Sequence, residues 1–228
     1  MISLSIELSS DWASLALTEE SLILGSAVWS QTGFPGRRTF AELTSLFDRS
    51  GIQPAEVDTF IVGRGPGTYS ALRIATATAR SFALPGDATV YAVSSGSSIA
   101  REMRSSLKEA RPVAVVGDAR RGSIWIGSFD DERERVSDTN VWRVVSADSF
   151  PGSVPEDTLF VSPQWSRLQS ILHPSAFTGH DWHSSPCFPD AAVLAQVAME
   201  KMRGGVPSEP LVPLYLHPPV APVRPGGD

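Results

Sequence analysis

Gly63, Gly65 and Gly67 fall within five residues, after the apolar run Phe60–Val62 and before a long segment rich in alanine and threonine. Glycines in such a turn can let backbone amides cradle a phosphate. The spacing argues against that use. A dinucleotide fingerprint needs a third glycine where Thr68 stands, and a Walker loop needs a Gly-Lys pair, which the chain lacks. Pro66 also removes one amide from the loop. A tight strand-to-helix turn is the better reading. Asp118 and Arg120, in "GDARRG", follow a second apolar run. An acid there could orient metal-bound phosphate, or it could close a turn with a local salt bridge.

"HDWHSSPC" gathers His180, Asp181, His183 and Cys187, all of types that bind metals. Their spacing fits no common zinc site, and the segment has the composition of a surface loop. No two of the four histidines are four residues apart, so H-x-x-x-H and H-E-x-x-H are both absent. G-x-S-x-G is absent too, which leaves no hydrolase nucleophile elbow. Ser94, Ser95, Ser97 and Ser98 read as helix-capping and turn residues. Cys187, the lone cysteine, reads as an incidental thiol.

Elements that would position these residues follow from periodicity. Ile2, Leu4, Ile6 and Leu8 alternate with polar residues, which predicts a strand; "WASLALT" and "SLILGSAVW" complete a three-stranded meander. Thr39 and Glu42 have capping-box spacing, Phe40, Leu43, Leu46 and Phe47 form one stripe, and Gly51 can end a helix over about Phe40–Ser50. "DTFIVG" is a strand, "YSALRIATATARSFAL" a helix stopped by Pro85-Gly86, "TVYAV" a strand, and a helix runs from Ser94-Ser95 to about Lys108. The order βββαβαβα predicts an α/β ribonuclease H-like core with mixed sheets, as in the two-lobed actin-like (ASKHA) fold. A degraded second copy follows: strands at "VAVVGD", "GSIWIGSFD", "NVWRVV" and "TLFVS", a charged turn at "DDERER", and helices at "SPQWSRLQSIL" and "DAAVLAQVAMEKMRGG". Expected boundaries are an N-terminal lobe at 1–108, a C-terminal lobe at 109–205 and a proline-rich extended tail at 206–228.

A length of 228 residues and a formal net charge of −6 suit a globular protein that does not grip nucleic acid by itself. One cysteine, no signal-peptide pattern and no long apolar run predict a cytoplasmic protein in a reducing compartment, away from membranes. Within "YSALRIATATARSFAL", Arg73 and Arg80 are the only charges, and small apolar residues run nearly all round. Such a helix is buried on more than one side. The sheet covers one side, and a second lobe or a second protein covers the other.

"GRGPGTYSALRIATATARSFAL" closely resembles the G-R-G-P-G-S-[FY]-T-G-[LV]-R-I-G motif of the TsaB family of bacterial tRNA threonylcarbamoyladenosine synthesis. "AVSS", "VGDARRGSIWIGSFD" and "PLYLHPP" resemble segments of the same family in the same order, so the resemblance covers most of the chain and is least clear at Val136–Gly205. It implies a non-catalytic scaffold subunit that pairs with the related catalytic subunit TsaD and works with TsaE on adenosine 37 of tRNA. It also implies pairing through the two N-terminal helices, with Phe40, Leu43, Phe47, Tyr69, Arg73, Thr76 and Arg80 as interface residues. A homodimer through the same face is the other possibility. The resemblance implies no cofactor in the isolated chain, with ATP or ADP held only at the interface of the complex, and tRNA reached only through the complex. Gly63, Gly65, Gly67, Asp118 and Arg120 remain structural turns or nucleotide contacts. The chain departs from the family pattern in three places. Glu7-Leu8-Ser9-Ser10 replaces an Asp-Thr-Ser-like turn, Arg38-Thr39 replaces a His-Ser-type segment, and Ala71 replaces a glycine. The first two weaken a nucleotide role for the N-lobe cleft. A small ATPase or phosphotransferase of the same fold, or a homodimeric binding module, are the alternative expectations.

Overall fold

The computed structural model describes residues 1–31, 35–107, 111–129, 142–150, 154–155 and 157–216. The "DDERER" turn and the tail beyond 216 lie outside the described residues.

The meander forms as expected: β1 (Ile2–Glu7), β2 (Trp12–Glu19) and β3 (Leu22–Ser30) pair antiparallel. β4 (Thr59–Gly63) then runs parallel to β1, and β5 (Thr89–Val93) parallel to β4, giving the order β3-β2-β1-β4-β5. Alternation decides which residues face where. Leu4, Ile6 and Leu8 face one core with Phe60 and Val62, under α1 (Pro35–Ser50) and α2 (Tyr69–Ala83). Glu7 points to the opposite face of the sheet, where it is buried.

Helix α1 begins at Pro35, a full turn before the expected start, so Thr39 lies inside the helix rather than capping it. Proline is tolerated in a first turn, where its missing N–H would be unpaired anyway. The predicted stop holds: Gly51 has φ +71° and its amide bonds Phe47 O at 3.0 Å.

The second copy is more complete in strands than the sequence indicates. β6 (Val113–Arg120), β7 (Ser123–Phe129) and β8 (Trp142–Ser146) repeat the meander; β9 (Leu159–Ser162) and β10 (Asp181–Pro186) add the parallel pair. The order β10-β9-β6-β7-β8 is the first sheet's order again. Its degradation lies in the helices. Only α4 (Trp165–Ile171), of 7 residues, stands where the first copy has the 15 residues of α2. β10 corrects the surface-loop reading of His180–Cys187. Its polar, proline-ended sequence forms an edge strand, which needs to satisfy only one neighbour.

Two helices cross between the lobes. α3 (Ser95–Ser106) follows the first sheet but packs Ile99 and Ala100 against Val113, Val115 and Trp125 of the second. α5 (Ala191–Arg203) follows the second sheet but packs Leu194, Ala195 and Ala198 against Ile61, Tyr91 and Val93 of the first. Arg101 and Glu200 join the two helices, with a hydrogen bond of 2.9 Å. A cut near residue 108 therefore separates the strands but not the cores.

After α5 the chain turns back over the N-terminal lobe. Val206 O accepts from Tyr91 Oη at 2.8 Å, the Glu209 amide bonds Ala92 O at 3.1 Å, and the Leu214 amide bonds Arg64 O at 2.8 Å. This strap covers the outer edge of β5. The extended segment from 206 is thus hydrogen-bonded to the N-terminal lobe as far as Leu214, with Val212 and Tyr215 still exposed.

Candidate functional site

The glycine loop links three elements rather than opening toward a ligand. The Arg64 amide bonds Val93 O, the Gly65 amide bonds Ser95 Oγ at 3.0 Å, and the Thr68 amide bonds Ser9 O at 3.2 Å. Those donors are spent inside the fold. A methyl group on Gly67 would stand 2.1 Å from Ser9 O, so the loop needs glycine for close backbone approach. Gly65, at φ +96°, precedes a cis bond to Pro66.

Indoles fill the cleft between the sheets. Trp125 and Trp142 meet edge to face at 5.5 Å, and Trp142 lies so close to Gly96 and Gly127 that a methyl group on either would come within 2.6 Å of its ring. A void of about 10 Å³ remains beside Ser9, Pro66 and Ser95. Asp118 is equally committed. It is 6% exposed, with Arg167 Nε at 2.6 Å and Arg120 Nη1 at 3.3 Å, and it accepts the Arg120 amide at 2.6 Å. The turn and salt-bridge reading of Asp118 and Arg120 describes this geometry. Arg167 and Trp142, which complete it, carried no sequence signal, because their partners lie far away in the chain.

Glu7 is fully buried. Its Oε1 accepts from the Ser9 amide at 2.7 Å and its Oε2 has no partner. Burial pushes its carboxyl above the ordinary range and Asp190 adds to the rise, against the Ser9 and Ser95 hydroxyls. An acid with a raised folded-state pKa holds its proton longer in the folded chain. Its contribution to stability is therefore greatest below the unfolded value of 4.5 and falls as pH climbs above it. Glu7→Gln should thus leave stability at pH 4 nearly unchanged and raise it at pH 8, on the order of 1–3 kcal/mol. Urea titrations at the two pH values test this, and equal effects at both would refute it.

The interface residues inferred from the resemblance divide into two groups. Phe40, Tyr69, Arg73 and Arg80 are exposed. Leu43, Phe47 and Thr76 are not, at 1%, 7% and 8%, and this corrects their assignment to an outward face. Leu43 and Phe47 belong to the core under α1, where Phe47 meets Phe82 at 6.2 Å. Phe82 does point toward its own sheet, stacking on Phe60, yet Thr76 is still covered. The outward stripe of α2 is Tyr69, Arg73, Ala77, Arg80 and Leu84, the last at 83% exposure. The strap runs along its flank: Tyr215 stacks on Tyr69 at 4.8 Å, and Arg80 donates to Leu211 O at 3.2 Å. The second sheet does not cover this side of α2.

Among the described residues, no three His, Cys, Asp or Glu side chains group as a metal site, and no helix is long and apolar enough to cross a membrane.

Two sheets of identical strand order, with crossing helices between them, define a two-lobed actin-like α/β protein of the ribonuclease H-like type. Residues 38–159, just over half of the chain, match the family described as TsaD, tRNA N6-adenosine threonylcarbamoyltransferase. The chain belongs to that family. The recognition of its TsaB members from the glycine-loop motif is borne out at this level. No curated protein matches the sequence. YeaZ from Pseudomonas aeruginosa shares the fold with a TM-score of 0.72 at 21% identity, over 94% of this chain and 99% of that one. A protein described as uncharacterized, with similarity to peptidase YEAZ from Pseudomonas aeruginosa, gives the same TM-score and identity over 95% and 99%.

Proposed function

We propose that this chain is a non-catalytic subunit in the transfer of threonylcarbamoyl to adenosine 37 of tRNA, supporting a catalytic TsaD partner by pairing along α2. Family membership supports a part in threonylcarbamoyladenosine modification of tRNA. The outward stripe of α2 carries the rest of the reading. A helix whose other sides are packed leaves Tyr69, Arg73, Ala77, Arg80 and Leu84 in solvent, with Phe40 of α1 exposed as well. Aromatic and arginine side chains around small residues are the composition of protein interfaces, and alanine lets a facing helix approach closely.

A non-catalytic role is supported by the spent loop amides, the double arginine lock on Asp118 and the indole-filled cleft. A small ATPase would need that cleft open. ATP or ADP would then be held only with a partner, at the shared interface. TsaE would join the assembled complex in the cytoplasm, and tRNA would be reached through partner subunits, since this chain carries a net charge of −6.

The test is co-purification with TsaD followed by a tRNA modification assay. Wild type should co-elute and restore modification. Ala77→Glu, at an exposed position, should melt like wild type but weaken association by about 10- to 100-fold, because an uncompensated carboxylate is desolvated at the contact. Modification by TsaD that does not depend on this chain would overturn the proposal.

A further inference from the structure

A cavity of about 480 Å³ lies at the seam of the two lobes, and the subunit reading makes no use of it. It has the size of a small-ligand site. Its walls come from both lobes: Trp12 and Val28 on β2 and β3, Glu102 on α3, and Cys187, Phe188 and Asp190 on the connector from β10 to α5. The segment "HDWHSSPC", which stands out in the sequence for its chemistry, thus ends in the wall of this cavity.

The apolar wall is left partly open. Trp12 is 42% exposed and Val28 58%, and the Trp12 ring stands 6.2 Å from that of Phe188, tilted by 48°. Among the described residues, no Lys or Arg lines the acidic wall; His183 is the one basic side chain there. Neither Glu102 nor Asp190 makes an ion pair among the described residues. Asp190 Oδ1 is taken by the Ala192 and Val193 amides at the start of α5, at 2.8 and 3.1 Å. Among the described residues, Glu102 makes no comparable bond. Arg101, its neighbour on α3, is paired with Glu200. Burial, with Asp190 beside it, pushes the Glu102 carboxyl up; burial, with Glu102 beside it, pushes the Cys187 thiol up to about 11. Asp190 thus stands beside Glu102 and Glu102 beside Cys187, and neither carboxylate is paired with a Lys or Arg among the described residues. A carboxylate near an open indole suits a cation whose body is apolar.

We propose that this cavity binds an organic cation with an apolar body, of the alkylguanidinium or alkylammonium class. Its charge would lie against Glu102 and its body against Trp12 and Phe188. The site stands independently of the tRNA-modification reading.

The test is calorimetric titration of the full-length protein with N-butylguanidinium and with N-butylurea, which has the same shape without the charge. Butylguanidinium should saturate the protein and bind about tenfold more tightly than butylurea. Glu102→Gln, at an exposed position, should bring the two ligands within about twofold of each other, and Trp12→Ala should weaken both severalfold. An acetylated, amidated Gly-Arg-Gly peptide identifies the source. Tighter binding than butylguanidinium marks an arginine presented by a protein, and weaker binding marks a free small cation. No saturable binding of butylguanidinium, equal binding of the two ligands to wild type, or a preference that survives Glu102→Gln would overturn the proposal.

Discussion

Thr76→Glu should lower the melting temperature of the isolated chain by about 6–12 °C, the shift expected for a loss of about 3 kcal/mol in a protein of this size. Thr76 is 8% exposed, and its Oγ1 already bonds Leu72 O at 3.0 Å. A glutamate there must lose water or push its neighbours aside. Two exposed arginines could soften the cost, since Arg73 and Arg80 are three and four residues away. A helical pair of that kind returns only about 0.2–0.5 kcal/mol, too little to decide the sign. Thr76→Val removes only a local hydroxyl bond, worth about 0.5–1.5 kcal/mol, and should cost no more than that. Ala77→Glu, one position on, should melt like wild type. Thermal unfolding of the three variants separates the cases. Thr76→Glu melting with wild type would show that this flank of α2 is open.

The reason Thr76 is covered marks where the sequence stops being legible. At 100° per residue, Thr76 lies about 40° from Arg80 and about 20° from both Tyr69 and Ala83. Ala83 faces the core, while Tyr69 and Arg80 touch the strap. Periodicity inside α2 shows that nearly all sides are apolar. It does not show that Tyr69 and Arg80, on either side of Thr76, meet residues more than 130 positions later. The strap, "VPSEPLVPLYL", has three prolines in eleven residues, a composition that reads as an extended tail. The first sheet was legible because β1 to β5 alternate or run apolar locally. β10 was not, because an edge strand with few apolar residues looks like a loop. The glycine loop was legible as a turn because its spacing breaks the phosphate motifs. What fills the cleft was not, since Trp142 meets Gly127 across the β7–β8 pairing and also Gly96 on α3, far away in the chain. The resemblance supplied the two helices expected to meet a partner. Only burial distinguishes Arg73 and Arg80 from Leu43, Phe47 and Thr76.

Arg64→Ala should release the strap and cost about 2–4 kcal/mol. Arg64 stands inside the glycine loop and is 8% exposed. Its Nε donates to Val212 O at 3.1 Å and its Nη1 to Glu209 Oε2 at 3.2 Å. Glu209 is itself largely buried, with its side chain 18% exposed. Removing the guanidinium leaves that carboxylate short of charge, which in a fully buried pair costs roughly 3–5 kcal/mol. Here the loss is smaller, because Lys201 Nζ remains at 3.6 Å and the Ser94 amide at 3.0 Å from Glu209 Oε1. The Leu214 amide, bonded to Arg64 O, should lose its protection from hydrogen exchange as the strap lifts. Amides of β1 and β4 should keep theirs under mild conditions. Adding Glu209→Gln should recover part of the loss, because the stranded charge is then gone, and a double-mutant cycle reads that coupling directly. If α2 is the partner face, lifting the strap also removes Tyr215 from Tyr69, so association with TsaD should weaken even below the melting transition. Wild-type melting of Arg64→Ala, with the Leu214 amide still protected, would mean that the strap is held by its backbone bonds alone and that the loop arginine has another role.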